Sequence, residues 1–242
     1  VRDTDNDWQK IAASTPYFGV LADKRFLNPT EKDLADFFQS GVVDINHVLD
    51  TIRQKFGTFT PRSALDFGCG VGRTLIPIAR NVEHATGVDV AADMRNLATK
   101  HVAQSGVNAK VLESIPEGVT FDWVHSFIVF QHIPPERGYV LLNRIWSLLN
   151  PNGFMSLQIT IFRDRTHVQE IIRDLGSFSY DGERILKYAD PEAISGPGTM
   201  SMYDYDLNRI ISLLNLKDGQ RLLLEHTNHG GCHGIRMYVR KS

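Results

Sequence analysis

The sequence predicts an α/β fold: a doubly wound, mostly parallel sheet with helices on both faces, an N-terminal helical cap and a reversed last strand. Three observations carry that prediction. From Arg62 onward short apolar runs alternate with helical segments, as strands buried on both faces require. Before residue 61 the apolar residues instead recur at three- and four-residue intervals, the helical period. At the end, QRLLLEHT and HGIRMYVRK are joined by too short a link for a parallel crossover, which takes a dozen or more residues, so they form an antiparallel hairpin.

Residues 1–60 form the cap and 61–242 the sheet domain. Thr30 starts a helix, with Asp33 three residues on as an acidic near-match to a capping box, and Leu34, Phe37 and Phe38 mark its apolar face. Ser40-Gly41 reads as a break, after which Ile45, Val48, Leu49, Ile52 and Phe56 define a second amphipathic helix. Strands are expected at 62–67, 84–90, 108–114, 121–130 and 153–162, with helices at 71–80, 91–104 and 135–149, the last closed by a turn at Asn150-Pro151-Asn152-Gly153. A helix at 205–217 precedes the hairpin. The stretch 163–204 is too long for one crossover and reads as a lid or substrate insertion, with a short helix at 166–175.

The 242 residues are 42% apolar and 22% charged, with a net charge of -2 and a pI near 6.5, which disfavours nucleic acid and anionic membrane as partners. No apolar run approaches the roughly 20 residues of a membrane span, and VRDTDNDWQK is acidic where a signal peptide is basic and then apolar. Two cysteines, Cys69 and Cys232, cannot build a disulfide framework. The expectation is a soluble, cytoplasmic protein.

The segment ALDFGCGVGRTLIPIAR carries the chemistry. A strand runs into Gly68-Cys69-Gly70-Val71-Gly72 and on into a helix, so a ligand can approach bare backbone while helix N-terminal amides face it. The glycines are spaced G-x-G-x-G, with Arg73 where the dinucleotide fingerprint G-x-G-x-x-G needs glycine. Asp66, two residues before the first glycine, would repel a pyrophosphate and welcome an ammonium. Asp89 ends the second strand, where an acid accepts both ribose hydroxyls. The ligand reads as a nucleoside with a cationic or zwitterionic tail, as S-adenosyl-L-methionine is.

Together LDFGCGVGR, GVDV and FDWVHSFIVFQHIP resemble the core of class I S-adenosylmethionine-dependent methyltransferases, and the resemblance covers about Arg62 to Leu157. It implies a Rossmann-like seven-stranded sheet of order 3-2-1-4-5-7-6 with the last strand antiparallel. It also implies that Asp66, Gly68, Gly70 and Gly72, with Cys69 in the same loop, hold the methionine part and that Asp89 holds the ribose. Val90 and Met94 then lie near the adenine, and Ser126 and Phe127 beside the cofactor at the fourth-strand end. The third-strand end offers Glu113 or Ser114 to the adenine amino group. The segment DWQKIAASTPYFGVLADKRF is similar to the cap of some small-molecule and sugar methyltransferases, where Trp8, Tyr17, Phe18 and Phe26 would exclude water and face the sulfonium. The activity implied is methyl transfer to a hydroxyl or amine of a small-molecule or sugar-like acceptor, leaving S-adenosylhomocysteine.

Ligands of open α/β sheets bind beyond the carboxyl ends of the strands. His132, just after the fourth strand, is therefore a candidate for acceptor or sulfonium contact, or else a cap of the next helix. By alternation His125 and Ser126 fall on opposite faces. HTNHGGCHG puts His226, His229, Cys232 and His233 in the last hairpin, whose first strand opens on the same edge, so His229 and His233 become candidates to orient or deprotonate the acceptor. A metal is not expected, because Cys232 and His233, adjacent in a strand, point to opposite faces. The rival readings are a nicotinamide-dependent oxidoreductase, which the glycine spacing and Asp66 oppose; a non-catalytic cofactor-binding protein of the same fold; and a zinc enzyme resting on the histidine loop alone.

Overall fold

The computed structural model describes residues 4–164, 178–180, 186–188, 200, 202–216 and 220–242. Three helices precede the sheet: α1 (Thr4–Ser14), α2 (Pro16–Val20) and α3 (Glu31–Phe56). The strands are β1 (Ser63–Phe67), β2 (His84–Val88), β3 (Ala109–Leu112), β4 (Phe121–Ser126), β5 (Leu149–Arg163), β6 (Leu222–His229) and β7 (Cys232–Arg240). Between them lie α4 (Leu75–Ala79), α5 (Ala92–Ser105), α6 (Pro135–Ser147) and α7 (Leu207–Leu214). In sheet order the strands run 3-2-1-4-5-7-6, with β7 antiparallel to both neighbours and every other pairing parallel, as expected.

Alternation along the strands builds two buried layers. Ala64, Trp123, Phe154 and Tyr238 face α3 through Ile45, Val48, Leu49 and Ile52, and α4 joins that side through Leu75 and Ile78. Leu65, Val124, Leu157 and Met237 face the other way, against Leu142 and Ile145 of α6 and Ile210 and Leu214 of α7. Each side chain of this kind stabilises the fold by about 1.5–3 kcal/mol on burial. A separate group, Ala12, Phe26, Phe37, Val71, Ala91 and Met94, joins the cap to the glycine loop and α5.

Thr30 forms a full capping box: its Oγ1 accepts from Asp33 N at 3.2 Å, and Asp33 Oδ2 accepts from Thr30 N at 2.9 Å. The break expected at Ser40-Gly41 does not occur, and α3 runs unbroken from Glu31 to Phe56. Gly41 is there for packing, since a Cβ at that position would collide with the Arg73 carbonyl of the glycine loop. The helix expected at 71–80 shortens to Leu75–Ala79 because the glycine loop takes up the residues before it. Strand β4 stops at Ser126, short of the expected 130, and Ile128 takes φ 58. The turn expected at Asn150–Gly153 is instead an irregularity inside β5, with Asn152 at φ 65 and a register shift opposite Phe121–Trp123.

Most of the 163–204 insertion, including the helix expected at 166–175, lies outside the described residues. Within it, Phe178–Tyr180 and Leu186–Tyr188 pair as a short antiparallel ribbon. Among the described residues no helix is long and apolar enough to cross a membrane.

Candidate active site

The glycine loop is a fixed cradle. Gly68, Gly70 and Gly72 take φ values of 77, 53 and 94, the left-handed region where a Cβ is strained. A Cβ on Gly68 would also strike Val129, and one on Gly70 would lie 2.7 Å from Val20 Cγ2 of α2. The loop is tied to β2 by its own amides: Gly68 N and Cys69 N both donate to the Val88 carbonyl, at 2.8 and 3.0 Å. Asp89 completes the tie. Its Oδ2 accepts from Gly70 N and its Oδ1 from Ala91 N, each at 2.9 Å. A carboxylate has about four acceptor positions, so two remain for a pair of ligand hydroxyls. Burial raises the Asp89 pKa, and the two amides work against that rise.

Above the loop lies a cavity. Gly68, Gly70 and Asp89 supply the polar floor. Val90, Met94 and Ile115 make an apolar slot, and Glu113 and Ser114, the two alternatives for the third-strand contact, both border it. Phe127, Ile128, Val129 and His132 form the wall beyond β4, and Trp8, Gly19 and Val20 of the cap close the top. A β-branched residue at positive φ is strained, and Ile128 is held there by a hydrogen bond from its N to Gln158 Oε1 at 3.2 Å.

Other predicted cofactor residues stand one layer behind that surface. Asp66 is buried, accepts from Thr74 Oγ1 at 2.8 Å, and has its pKa pushed up to about 7 by burial. Cys69 turns toward β2, where a Cβ on Gly87 would sit 2.7 Å from its Sγ. Gly72 lies against Ala98 of α5, and Ser126 Oγ donates to the Phe67 carbonyl at 2.9 Å. Ser126 and His125 do fall on opposite faces: His125 joins Ser156 on the α3 side. Of the cap aromatics, Trp8 borders the cavity, while Tyr17 and Phe26 meet Phe37 edge to face and Phe18 packs within the same cluster.

The three candidate histidines occupy different places. His132 borders the cavity, 5.0 Å from the Trp8 ring in an edge contact. Gln131 Oε1 accepts from Thr160 Oγ1 at 2.6 Å, which orients the Gln131 amide so that its Nε2 donates to His132 Nε2 at 3.2 Å. That nitrogen is therefore an acceptor, and the ring is neutral in this arrangement. His229 meets Phe127 edge to face at 5.8 Å, on the same side of the sheet as His125. Burial and the Arg236 charge lower its pKa. His233 points to the opposite face, stacked 4.3 Å from Phe162, with His226 at 2.8 Å and Asp164 at 2.7 Å. Cys232 and His233 thus diverge, and Cys232 Sγ meets Arg163 at 2.8 Å. Among the described residues no group of three or more His, Cys, Asp or Glu side chains is placed to share a metal ion.

Sequence reasoning missed the apolar members Ile115, Val129 and Ile133, and the latch formed where Asp5 of α1 takes Arg137 of α6 in two contacts of 2.6 and 2.7 Å. Gln9 adds a second clasp, donating to Val90 O at 3.0 Å and accepting from Ala92 N at 2.9 Å. The acidic bias of the first ten residues was the one available signal for the latch.

Residues 64–153 match the family model described as a methyltransferase domain. Over 111 residues the chain is 29% identical to the ubiquinone biosynthesis O-methyltransferase of Serratia proteamaculans, an alignment covering 43% of this chain and 45% of that protein's length. Over 215 residues it is 24% identical to the carboxy-S-adenosyl-L-methionine synthase of a Shewanella species, covering 78% of this chain and 85% of the relative. In fold it is similar to magnesium protoporphyrin IX methyltransferase from Synechocystis with bound S-adenosylhomocysteine, with a TM-score of 0.66 at 15% identity, covering 99% and 100% of the two chains. Residues 64–153 thus form a methyltransferase domain, and the sheet order of the chain is that of the Rossmann-like methyltransferase fold.

Proposed function

We propose that the protein binds S-adenosyl-L-methionine above the glycine loop and transfers its methyl group to a hydroxyl or amine of a small-molecule acceptor, producing S-adenosylhomocysteine. The observation that carries this reading is the Gly70–Asp89 contact at 2.9 Å, which ties the glycine loop to an acid suited to ribose hydroxyls at one edge of the cavity. Asp89 takes the ribose hydroxyls, Val90, Met94 and Ile115 enclose the base, and Gly68 and Gly70 admit the methionine part. Asp66, one layer below, favours a ligand ammonium. The cofactor supplies an electrophilic methyl on sulfur, which leaves the protein chiefly the tasks of alignment and removal of water. Trp8, Val20 and Phe127 exclude water. In this reading His229, its pKa lowered, takes a proton from an acceptor that enters past Phe127, and His132 orients one at the cavity wall. His233 faces the other side of the sheet, with Asp164 and His226 as partners, so a part for it in the transfer would need the acceptor to reach that face. The two free, buried cysteines support a cytoplasmic site of action.

Calorimetry with S-adenosylhomocysteine and with NAD tests the reading. Binding of the former, weakened about tenfold or more in Asp89→Asn, is expected. Binding of NAD with none of S-adenosylhomocysteine would return the nicotinamide reading. The longer alignment with the carboxy-S-adenosyl-L-methionine synthase supports a second reading, in which the cofactor itself is altered. Mass spectrometry separates the two: a methylated acceptor with S-adenosylhomocysteine in one case, a heavier cofactor in the other.

A further inference from the structure

Strand β5 lies inside the sheet between β4 and β7, yet part of one of its faces is polar. Ser156, Gln158 and Thr160 alternate with Leu157 and Ile159, and all five are buried. Polar side chains in such a place weaken a fold unless they are paired. Each of the three reaches toward β4 or the segment that follows it. Ser156 Oγ accepts from Trp123 Nε1 and meets His125 Nδ1, both at 2.8 Å. Gln158 Oε1 accepts from Ile128 N at 3.2 Å, and Thr160 Oγ1 donates to Gln131 Oε1 at 2.6 Å. The polar face of β5 thus follows the chain from the end of β4 almost to His132.

Three features around Gln158 run against stability. Ile128, which it holds, is a β-branched residue at φ 58 and is strained. Gln158 Nε2 is buried without a hydrogen-bond partner among the described residues, an unmade bond that destabilises the fold. Gly234, in the interior of β7, gives up a side chain beside it. A Cβ there would collide with the Ile159 carbonyl and lie 2.8 Å from Gln158 Nε2. A side chain that served the fold alone would not bring three such features together, and local conflicts of this kind gather at functional sites.

What Gln158 holds is the cavity wall. Ile128 and Val129 both border the cavity, and Val129 fills the space beside Gly68 where a Cβ would stand. On the other side of Ile128 the Phe127 ring lies under Arg236 and Arg73, at 4.7 and 5.6 Å. Val129 O accepts from His132 N at 2.9 Å, so the short turn that carries His132 to the cavity hangs from the same residues. Without the contact to Gln158, the β-branched and aromatic run Ile128-Val129-Phe130 favours an extended chain, and Val129 would turn away from Gly68.

We propose that Gln158 is a positioning residue for methyl transfer: from behind the cavity wall it holds Ile128 left-handed, which sets Val129 against the glycine loop and His132 at the cavity. This rests on the methyltransferase reading above. Gln158 itself touches neither cofactor nor acceptor and acts through the backbone of Ile128.

The test follows S-adenosylhomocysteine affinity by calorimetry, Tm, and the Ile128 amide resonance. Gln158→Met keeps the length of the side chain and removes the acceptor for Ile128 N. It should weaken S-adenosylhomocysteine about tenfold, shift the Ile128 amide and end its protection from exchange. Its Tm should change by no more than about 2–4 °C, because the unpaired amide and the strain at Ile128 disappear together with the hydrogen bond. Gln158→Glu keeps an oxygen in that place, beside the register partner Arg236, and should hold affinity within about twofold of the unmodified protein. Glycine accepts φ 58 without strain, so in an Ile128→Gly background Gln158→Met should weaken the ligand by no more than about threefold. Affinity within about twofold in Gln158→Met, a fall in Tm beyond the stated range, a loss in Gln158→Glu as large as in Gln158→Met, or an undiminished loss in the Ile128→Gly background would each overturn the positioning role. Failure of the unmodified protein to bind S-adenosylhomocysteine would instead remove the methyltransferase reading, with the Ile128 amide shift in Gln158→Met still marking the contact.

Discussion

Replacing Asp66 by Asn should change how cofactor binding depends on protons. Asp66 lies beneath the glycine loop, 1% exposed, with one hydrogen bond from Thr74, and burial lifts its pKa from an ordinary 3.8 to about 7. A carboxyl whose folded pKa is raised binds a proton more readily folded than unfolded. Its contribution to stability is therefore complete below about pH 4 and is lost as pH rises through about 7, a span equivalent to about 4 kcal/mol. A ligand ammonium next to this group would pull the pKa back down. At pH 6.5 about three-quarters of the free molecules carry the Asp66 proton, so binding of S-adenosylhomocysteine should release about 0.7 proton per site. Calorimetry in phosphate and in Tris reads that number from the difference in apparent enthalpy. Asp66→Asn should abolish the difference and, without a carboxylate to ionise, raise Tm at pH 8 but not at pH 5. Its net gain is about 1–3 kcal/mol once the cost of the new amide donor is subtracted. A binding enthalpy independent of buffer in the unmodified protein would refute this role for Asp66.

Three further outcomes follow from the geometry. Gly70→Ala places a Cβ at φ 53, 2.7 Å from Val20, and should cost about 1–3 kcal/mol in urea unfolding while weakening the cofactor more than it weakens the fold. Arg137→Gln breaks the Asp5 latch between partly exposed side chains, so Tm should fall by no more than the equivalent of about 1 kcal/mol, while stopped-flow release of the cofactor becomes several-fold faster. His229→Ala should leave S-adenosylhomocysteine affinity within about twofold and lower methyl transfer at saturating cofactor; unchanged turnover would return that hairpin to being a turn.

The fold was legible because its signals are local. A capping box at Thr30, apolar runs of strand length and glycines between β1 and α4 can each be read within ten residues, and family resemblance supplied the strand order. Gly41 was misread because helix propensity sees only the missing side chain, whereas the reason for glycine is the Arg73 carbonyl, far away in sequence. The end of β4 was misread for a similar cause: IVF is ideal strand sequence, but Gln158 on the next strand draws Ile128 into the left-handed region. In the site, Asp89 and the glycines were readable from spacing. The division between residues that touch the cavity and residues that hold them, such as Asp66, Cys69, Gly72 and Ser126, was not. Gln158 and Arg236 left a faint trace, one Gln in SLQITIF and one Arg in HGIRMYVRK, each polar in an apolar strand. Their meeting depends on the pairing of β5 with β7.

The most direct measurement is a structure of the protein with S-adenosylhomocysteine. The account predicts the ribose hydroxyls at the Asp89 carboxylate, the adenine between Val90 and Ile115, and the amino acid part over Gly68 and Gly70. A nucleoside bound elsewhere, or a ribose that leaves Asp89 untouched, would contradict it.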